Sequence, residues 1–274
     1  MKIIYLAYGG ENYYIQTFCS IVSFCRHNPD RLGDCVLYTD SPDFFATLPV
    51  EVRQHTFLPD TQWGLHMLGF ARLQLLQQAL AEFQTGVLCV DSDTLWMWKL
   101  PVQEIQPDVA YFHMFEANLV NYNNQLFAPV YEHADPRFGE IMSTKVYNAS
   151  TLWFVPEHLS LLREVYLLAC KIYQATQERT ADQVAFSYIF GATTQIQCTY
   201  EYIFHYRAYK GATLHKIYLL MWGSHDYDQA LRHMPKLLQH LSLGSMQFIG
   251  KTGDVLKDYY IEKPEKLKDL LWLN

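Results

Sequence analysis

Residues 87–93 constrain the fold of this chain more than any other segment. They read Val-Leu-Cys-Val-Asp-Ser-Asp, four apolar residues followed at once by two carboxylates two positions apart. A short uninterrupted apolar run is typical of a strand that is buried on both faces of a parallel sheet. Side chains alternate along an extended chain, so we expect Asp91 and Asp93 to face the same side at the carboxyl end of this strand.

The rest of the chain alternates between strand patterns and helix patterns. Strands separated by helices predict an α/β fold with a doubly wound, mostly parallel sheet flanked by helices. The C-terminal third is predicted to be rich in loops. The predicted strands are 3–7, 35–38, 50–57, 87–90, 109–114 and 146–155, and the predicted helices are 12–26, 68–83, 159–176, 181–190 and 264–271.

Polar residues follow the predicted strands where ligands bind in such sheets, beyond the carboxyl ends. Asp40 follows the second strand, and Asp91 and Asp93 follow the fourth. A pair of carboxylates in this position can hold a hard divalent cation, which can neutralise a diphosphate. A second Asp-x-Asp, at 226–228, lies in a turn-like stretch without a preceding apolar run, so we take the first as the candidate site.

Charge and cysteine usage exclude some classes of function. The net charge is −7 and there is no run of Lys or Arg, which argues against nucleic acid as a partner. The six cysteines form no C-x-x-C pair, so reduced thiols and a cytoplasmic location are the simplest interpretation. No stretch is apolar enough to predict a transmembrane segment. The lysines at 263, 266 and 268 would allow peripheral contact with an anionic membrane, although a solvated helix face is the simpler interpretation.

Several segments resemble nucleotide-sugar glycosyltransferases with the GT-A fold, in particular glycosyltransferase family 8 and its relatives. Residues 87–96 resemble the strand and DxD motif of that family, and residues 70–73 resemble the helix that leads into it. Residues 147–154 resemble its Asn-containing element with the apolar strand that follows, and Asp182-Gln183 resembles its downstream Asp-Gln pair. These elements occur in the expected order over residues 1–210.

The resemblance implies a single GT-A domain over residues 1–274. Residues 1–105 would bind nucleotide and metal, and residues 106–274 would form the acceptor half with a C-terminal appendage. The implied reaction transfers a sugar, with retention, from a nucleotide-sugar donor, a UDP-sugar by resemblance, to a saccharide or other hydroxyl acceptor. The implied cofactor is Mn²⁺ or Mg²⁺.

The resemblance also assigns roles to individual residues. Asp91, Ser92 and Asp93 would bind the cation and the diphosphate. The family's third metal ligand is a histidine late in the chain, for which His205 is the better match and His225 the competitor. The remaining assignments are Lys210 to the phosphates, Ala7, Tyr8 and Asp40 to the base and ribose, Arg72 to the base or diphosphate, and Asn148, Asp182 and Gln183 to the transferred sugar or the acceptor.

Simpler interpretations of these residues remain open at the level of sequence. Asp40 could cap the turn before Pro42, as Asp commonly does. Arg72 could be a solvated helix residue, and Asn148 an ordinary turn residue. His205, taken by its spacing alone, could be a core or surface histidine.

Two other functions also remain open. Residues 91–95 resemble motif I of haloacid-dehalogenase-type phosphatases, in which the first Asp is a nucleophile and the second an acid/base. Gly253-Asp254 and Asp258 resemble the later metal motif of those enzymes, but that family carries motif I on its first strand, whereas here several strand-helix units precede it. The second alternative is a protein that binds nucleotide-sugars without catalysis.

Overall fold

The computed structural model of this chain describes residues 1–56, 68–100, 105–106, 109–118, 145–199, 202–205 and 226–245, without the side chains of 68, 114–118 and 239–245. Several predictions fall outside these residues. They are Lys210, His225, the phosphatase-like Gly253, Asp254 and Asp258, the lysines at 263, 266 and 268, and the predicted helix 264–271.

The described elements alternate between strands and helices, as predicted. The helices are α1 (Glu11–His27), α2 (Leu68–Phe83), α3 (Leu159–Thr176), α4 (Ala181–Thr193) and α5 (Tyr227–Ser245). The strands are β1 (Lys2–Ala7), β2 (Cys35–Thr39), β3 (Glu51–Gln54), β4 (Val87–Val90), β5 (Thr94–Trp96), β6 (Val109–Asn118), β7 (Lys145–Phe154), β8 (Gln195–Cys198) and β9 (Ile203–His205).

The α/β fold class is confirmed. The seven-stranded sheet has the order β3-β2-β1-β4-β7-β6-β8, and β5 pairs with β9 in a separate two-stranded sheet. Parallel pairing joins β2 to β3 and β6 to β8. Strand β7 runs antiparallel to both of its neighbours, β4 and β6. Every residue of β4 is buried, as its apolar run predicts for a central strand.

The prediction of a loop-rich C-terminal third is wrong for residues 227–245, which form the 19-residue helix α5. Pro235 lies inside this helix, and an interior proline argues against a helix when the sequence is considered alone. The second Asp-x-Asp begins the helix, because Asp226 Oδ1 accepts a hydrogen bond of 2.7 Å from the backbone N–H of Gln229. The turn-like residues at 226–228 are therefore the N-cap and first turn of α5.

The chain divides into two compact units that interleave along the sequence. The first unit comprises Met1–Ile4, Thr56–Val90 and Val102–Thr199, and the second comprises Tyr5–His55, Asp91–Pro101 and Tyr200–Asn274. The first has an aromatic core in which the rings of Phe154 and Phe190 lie 4.6 Å apart between centroids. The second buries helix α1 along most of its length. The assignment of a single domain remains a prediction.

None of the six cysteines is in a disulfide. Among the residues that the structure describes, no helix has the length and apolar character needed to cross a bilayer.

Candidate functional site

The carboxylate pair lies in the short turn between β4 and β5. Strand β4 ends at Val90, and β5 begins at Thr94. The Thr94 hydroxyl donates a hydrogen bond of 2.7 Å to the backbone carbonyl of Asp91, which closes the turn. In the antiparallel β5–β9 pair, Thr94 lies opposite His205. This ladder therefore brings the predicted late histidine next to the Asp-x-Asp turn.

His205 contacts Asp93 directly. Its Nε2 lies 3.2 Å from Asp93 Oδ1, and the two side chains are only 8% and 14% exposed. Two neighbouring ligands of a six-coordinate cation with bonds of about 2.1 Å are about 3 Å apart, so this separation fits both groups on one ion. Imidazole and carboxylate are both acceptable ligands of Mn²⁺. No group of three or more His, Cys, Asp or Glu side chains with metal-site geometry occurs among the described residues.

Asp40 joins the end of β2 to the turn between β1 and α1. Its Oδ1 accepts a hydrogen bond of 2.8 Å from the Tyr14 hydroxyl, and its Oδ2 accepts one of 3.4 Å from the N–H of Gly9. Gly9 has a φ of +88°, a conformation that glycine adopts without strain. The turn before Pro42 is held instead by Thr39, whose hydroxyl accepts from the N–H of Ser41. The simpler interpretation of Asp40 as a cap of that turn is wrong.

Tyr14 is a residue of this region that the sequence reasoning missed. Burial, followed by the hydrogen bond and charge of Asp40, raises the pKa of Tyr14 to about 12. The phenol therefore remains a neutral hydrogen-bond donor over the physiological range. A possible signal was its place in the first turn of a helix that starts at a strand end. Of the other residues assigned to the base and ribose, Ala7 is buried at the end of β1 and Tyr8 is partly exposed.

Arg72 is partly buried and its guanidinium is paired, so it is not a solvated residue. Its Nη2 lies 2.6 Å from Asp182 Oδ2, and the two side chains are 11% and 7% exposed. Its Nη1 donates a hydrogen bond of 2.8 Å to the backbone carbonyl of Ala149. Arg72 on α2, Asp182 on α4 and Ala149 on β7 are thus brought together, although they are distant in sequence.

Side chains of helix α4 accept hydrogen bonds from the backbone of β7, in the part of β7 that does not pair with β4. The pairing of β4 with β7 covers Thr151–Phe154 of β7. Upstream of this pairing, Gln183 Oε1 accepts from the N–H of Ala149 at 3.2 Å, and Ser187 Oγ accepts from the N–H of Tyr147 at 2.9 Å. The two acceptors are four residues apart on the helix, a rise of about 6 Å, and the two N–H groups are two residues apart on the strand, a rise of about 6.6 Å. The nearly equal distances allow both hydrogen bonds to form at once.

Asn148 lies inside β7, between the two residues whose N–H groups bond to α4. The simpler interpretation of Asn148 as a turn residue is therefore wrong. Its side chain is 4% exposed, and its Oδ1 accepts a hydrogen bond of 2.9 Å from the N–H of Ser150. The strand and helix together therefore place Asn148, Asp182 and Gln183 in one small region.

Gly69 is a second residue that the sequence reasoning missed. A Cβ atom at this position would lie 2.6 Å from Asp182 Oδ2, well inside van der Waals contact. Because Gly69 has no side chain, the Asp182 carboxylate that Arg72 binds can lie against the backbone of α2. The available signal was a glycine inside a predicted helix three residues before an arginine, a spacing that puts both on the same helix face.

The contacts of the predicted site residues form two groups, one in each unit. The first unit holds the group of Arg72, Asn148, Asp182 and Gln183. The second unit holds Asp91, Ser92, Asp93 and His205, together with Asp40 and its partners.

Comparison with known proteins gives similarity to solved structures only: no protein-family model and no curated protein matches this chain. One similar structure is the galactosyltransferase LgtC in complex with donor and acceptor sugar analogs, with 17% identity, a TM-score of 0.47 and coverage of 72% of each chain. The bifunctional glycosyltransferase WbbM has 13% identity and a TM-score of 0.47 over 72% of this chain, which corresponds to 38% of WbbM. An active-site mutant of LgtC has 15% identity, a TM-score of 0.46 and coverage of 72% of each chain.

All three similar structures are described as glycosyltransferases. The identities are low and the TM-scores lie below 0.5. The chemistry proposed below therefore rests on contacts within this chain.

Proposed function

We propose that this protein is a GT-A glycosyltransferase that moves a sugar from a nucleotide-diphosphate donor, a UDP-sugar by resemblance, to a hydroxyl acceptor. The observation that carries the proposal is the contact of 3.2 Å between His205 and Asp93. The resemblance assigns both residues to one cation, and they are in contact although they are 112 positions apart in the sequence (205 minus 93). Asp91, Asp93 and His205 are the proposed ligands of Mn²⁺ or Mg²⁺.

The proposed cation would supply electrostatic stabilisation of the departing diphosphate. Asp91 and Asp93 would provide two carboxylates from one turn, and His205 would provide an imidazole nitrogen from β9. Ser92 and Lys210 are proposed diphosphate contacts, and Ala7, Tyr8 and Asp40 are proposed contacts of the base and ribose. The absence of disulfides among the six cysteines is in keeping with a cytoplasmic location, which we include in the proposal.

The group on the first unit supports sugar transfer through its charges. Arg72 holds the Asp182 carboxylate in one orientation, and Gln183 and Asn148 place amide groups in the same region. A fixed carboxylate with neighbouring amides can stabilise the positive charge that develops on a sugar in the transition state. Asn148, Asp182 and Gln183 are therefore proposed to contact the transferred sugar or the acceptor, and the assignment of Arg72 to the base or diphosphate stays a prediction.

Calorimetric titration with UDP, with and without Mn²⁺, tests the nucleotide and cation assignments. We expect the wild type to bind UDP only with Mn²⁺, and Asp93→Asn to bind it at least about tenfold more weakly. Asp226→Asn is the matched control, because it makes the same change in the other Asp-x-Asp and Asn caps a helix as well as Asp does. Wild-type affinity in Asp93→Asn would show that the cation assignment is wrong.

Release of UDP from a panel of UDP-sugars, with saccharide acceptors, tests for transfer. We expect turnover that depends on both Mn²⁺ and an acceptor. Metal-dependent UDP binding without any turnover would instead indicate a binding protein without catalysis. No UDP binding, with release of phosphate from small phosphomonoesters, would favour the phosphatase.

A further inference from the structure

A chain of buried hydrogen bonds ends on the turn that carries the two carboxylates. The indole N–H of Trp96 donates to Tyr5 Oη at 2.7 Å, and Ser20 Oγ donates to the same Tyr5 Oη at 3.2 Å. Ser20 Oγ lies 2.9 Å from Thr94 Oγ1, and Thr94 Oγ1 donates to the Asp91 carbonyl at 2.7 Å. All four side chains are completely buried.

The Ser20 hydroxyl has one proton and two oxygens within reach, Tyr5 Oη and Thr94 Oγ1. Thr94 gives its own proton to the Asp91 carbonyl, so its oxygen can accept the proton of Ser20. Hydrogen bonds that point the same way polarise one another, so donation from Ser20 to Thr94 strengthens the bond from Thr94 to Asp91.

Thr94 acts on both sides of the proposed cation site. Its hydroxyl holds the carbonyl of Asp91, and its backbone pairs with that of His205 in the β5–β9 ladder. Asp93 is its immediate neighbour in sequence. One residue thus sets the position of the turn relative to the histidine.

We propose that Thr94 is a positioning residue of the divalent-cation site and that Ser20 supports it through the hydrogen-bond chain. This inference rests on the proposed function, since it concerns the ligands Asp91, Asp93 and His205. Groups that orient metal ligands typically change metal affinity by about 10- to 100-fold when they are removed. A purely structural role would lower stability and leave metal affinity unchanged.

Ser23 provides a matched control that distinguishes a positioning role from a purely structural one. Ser23, on the same helix as Ser20, accepts a hydrogen bond of 2.9 Å from the N–H of Trp96 and donates one of 2.6 Å to the carbonyl of Ser20. Ser23 is also completely buried. Its replacement by alanine therefore removes a buried hydrogen bond between α1 and β5, and one within α1, without removing any of the side chains that connect Trp96 to Asp91.

The experiment is titration of the full chain with Mn²⁺ in the presence of UDP, with free Mn²⁺ measured by electron paramagnetic resonance and thermal unfolding recorded for each variant. We expect Thr94→Val to bind Mn²⁺ at least about tenfold more weakly than wild type. Thr94→Ser keeps the hydroxyl and should restore most of the affinity. Ser20→Ala should cause a smaller loss than Thr94→Val, and Ser23→Ala should bind Mn²⁺ like wild type even if it unfolds at a lower temperature.

Two results would overturn the inference while leaving the proposed function in place. One is wild-type Mn²⁺ affinity in Thr94→Val, and the other is an equal loss of affinity in Thr94→Val and Ser23→Ala, provided that Asp93→Asn loses Mn²⁺. If Thr94→Val does not fold, Ser20→Ala is the deciding variant. A Mn²⁺ affinity of Ser20→Ala equal to that of Ser23→Ala would refute the proposal that Ser20 supports the cation site through Thr94. A wild type that binds no Mn²⁺ with UDP would overturn the cation site itself, and this inference with it.

Discussion

Arg72 and Asp182 form a partly buried ion pair, with Nη2 2.6 Å from Oδ2. The same guanidinium donates to the carbonyl of Ala149, so the pair joins helix α2, helix α4 and strand β7. These contacts position one carboxylate within the group of residues that we assign to the sugar. They also allow direct tests by substitution.

Removal of one partner of the ion pair should be costly. Asp182→Asn leaves the partly buried Arg72 charge uncompensated, and we expect the free energy of unfolding to fall by about 3 kcal/mol. Replacement of both partners, by Arg72→Met with Asp182→Leu, should cost less than either single change because no buried charge is left. Urea denaturation measures all the variants. A loss below about 1 kcal/mol in Asp182→Asn would indicate that solvent screens the pair.

Gly69→Ala should destabilise the protein although alanine is the better helix former. The added Cβ would lie 2.6 Å from Asp182 Oδ2 and would displace the carboxylate from Arg72. Gly191→Ala is the matched control, because its Cβ would meet only Ile196 Cδ1 at 3.9 Å. That change should stabilise the protein by roughly 0.5–1 kcal/mol. Thermal unfolding and UDP-sugar turnover distinguish the variants, and stabilisation by Gly69→Ala would refute the close approach.

The Tyr14–Asp40 hydrogen bond should contribute stability that disappears at high pH. The pKa of Tyr14 is raised to about 12 in the folded protein, mainly by burial, whereas in the unfolded chain it is about 10. The contribution is therefore fully present below pH 10 and is lost as the pH rises toward 12. Urea unfolding of wild type and Tyr14→Phe at pH 8 to 11 should show a difference that narrows above pH 10. A difference that stays constant to pH 11 would contradict the assignment.

His158 should make the protein less stable in mild acid. Burial lowers the pKa of His158 below its ordinary value of about 6.5, so protonation favours the unfolded chain. The contribution to stability is complete above pH 6.5 and is lost as the pH falls through the lowered pKa. Asn is a suitable replacement, since its Oδ1 can accept the hydrogen bond that Nδ1 accepts from the N–H of Val155. The stability difference between wild type and His158→Asn should shrink from pH 7 to pH 5, and a difference that grows would show that the sign is wrong.

Local signals explain which elements could be predicted from the sequence. Helix α2, strand β4 and helix α3 have the predicted ends, because their apolar periodicity stops where the polar residues begin. Strand β6 extends four residues beyond the prediction, and shifts of register against β7 interrupt the alternation on which that prediction depended. Strands β5 and β9 were missed, because each has three residues and pairs with a partner that is distant in sequence.

The sequence by itself determined the fold class, the buried strand β4 and the position of Asp91 and Asp93 at its end, because hydrophobic periodicity and strand-end chemistry are local properties. Only the tertiary structure decided three contacts. His205 contacts Asp93, Arg72 forms an ion pair with Asp182, and the Tyr14 hydroxyl donates a hydrogen bond to Asp40. These relationships depend on strand register and helix packing between segments that are far apart in the chain. The spacing of residues along a sequence carries no information about such contacts, whereas a folded sheet brings them within hydrogen-bonding distance.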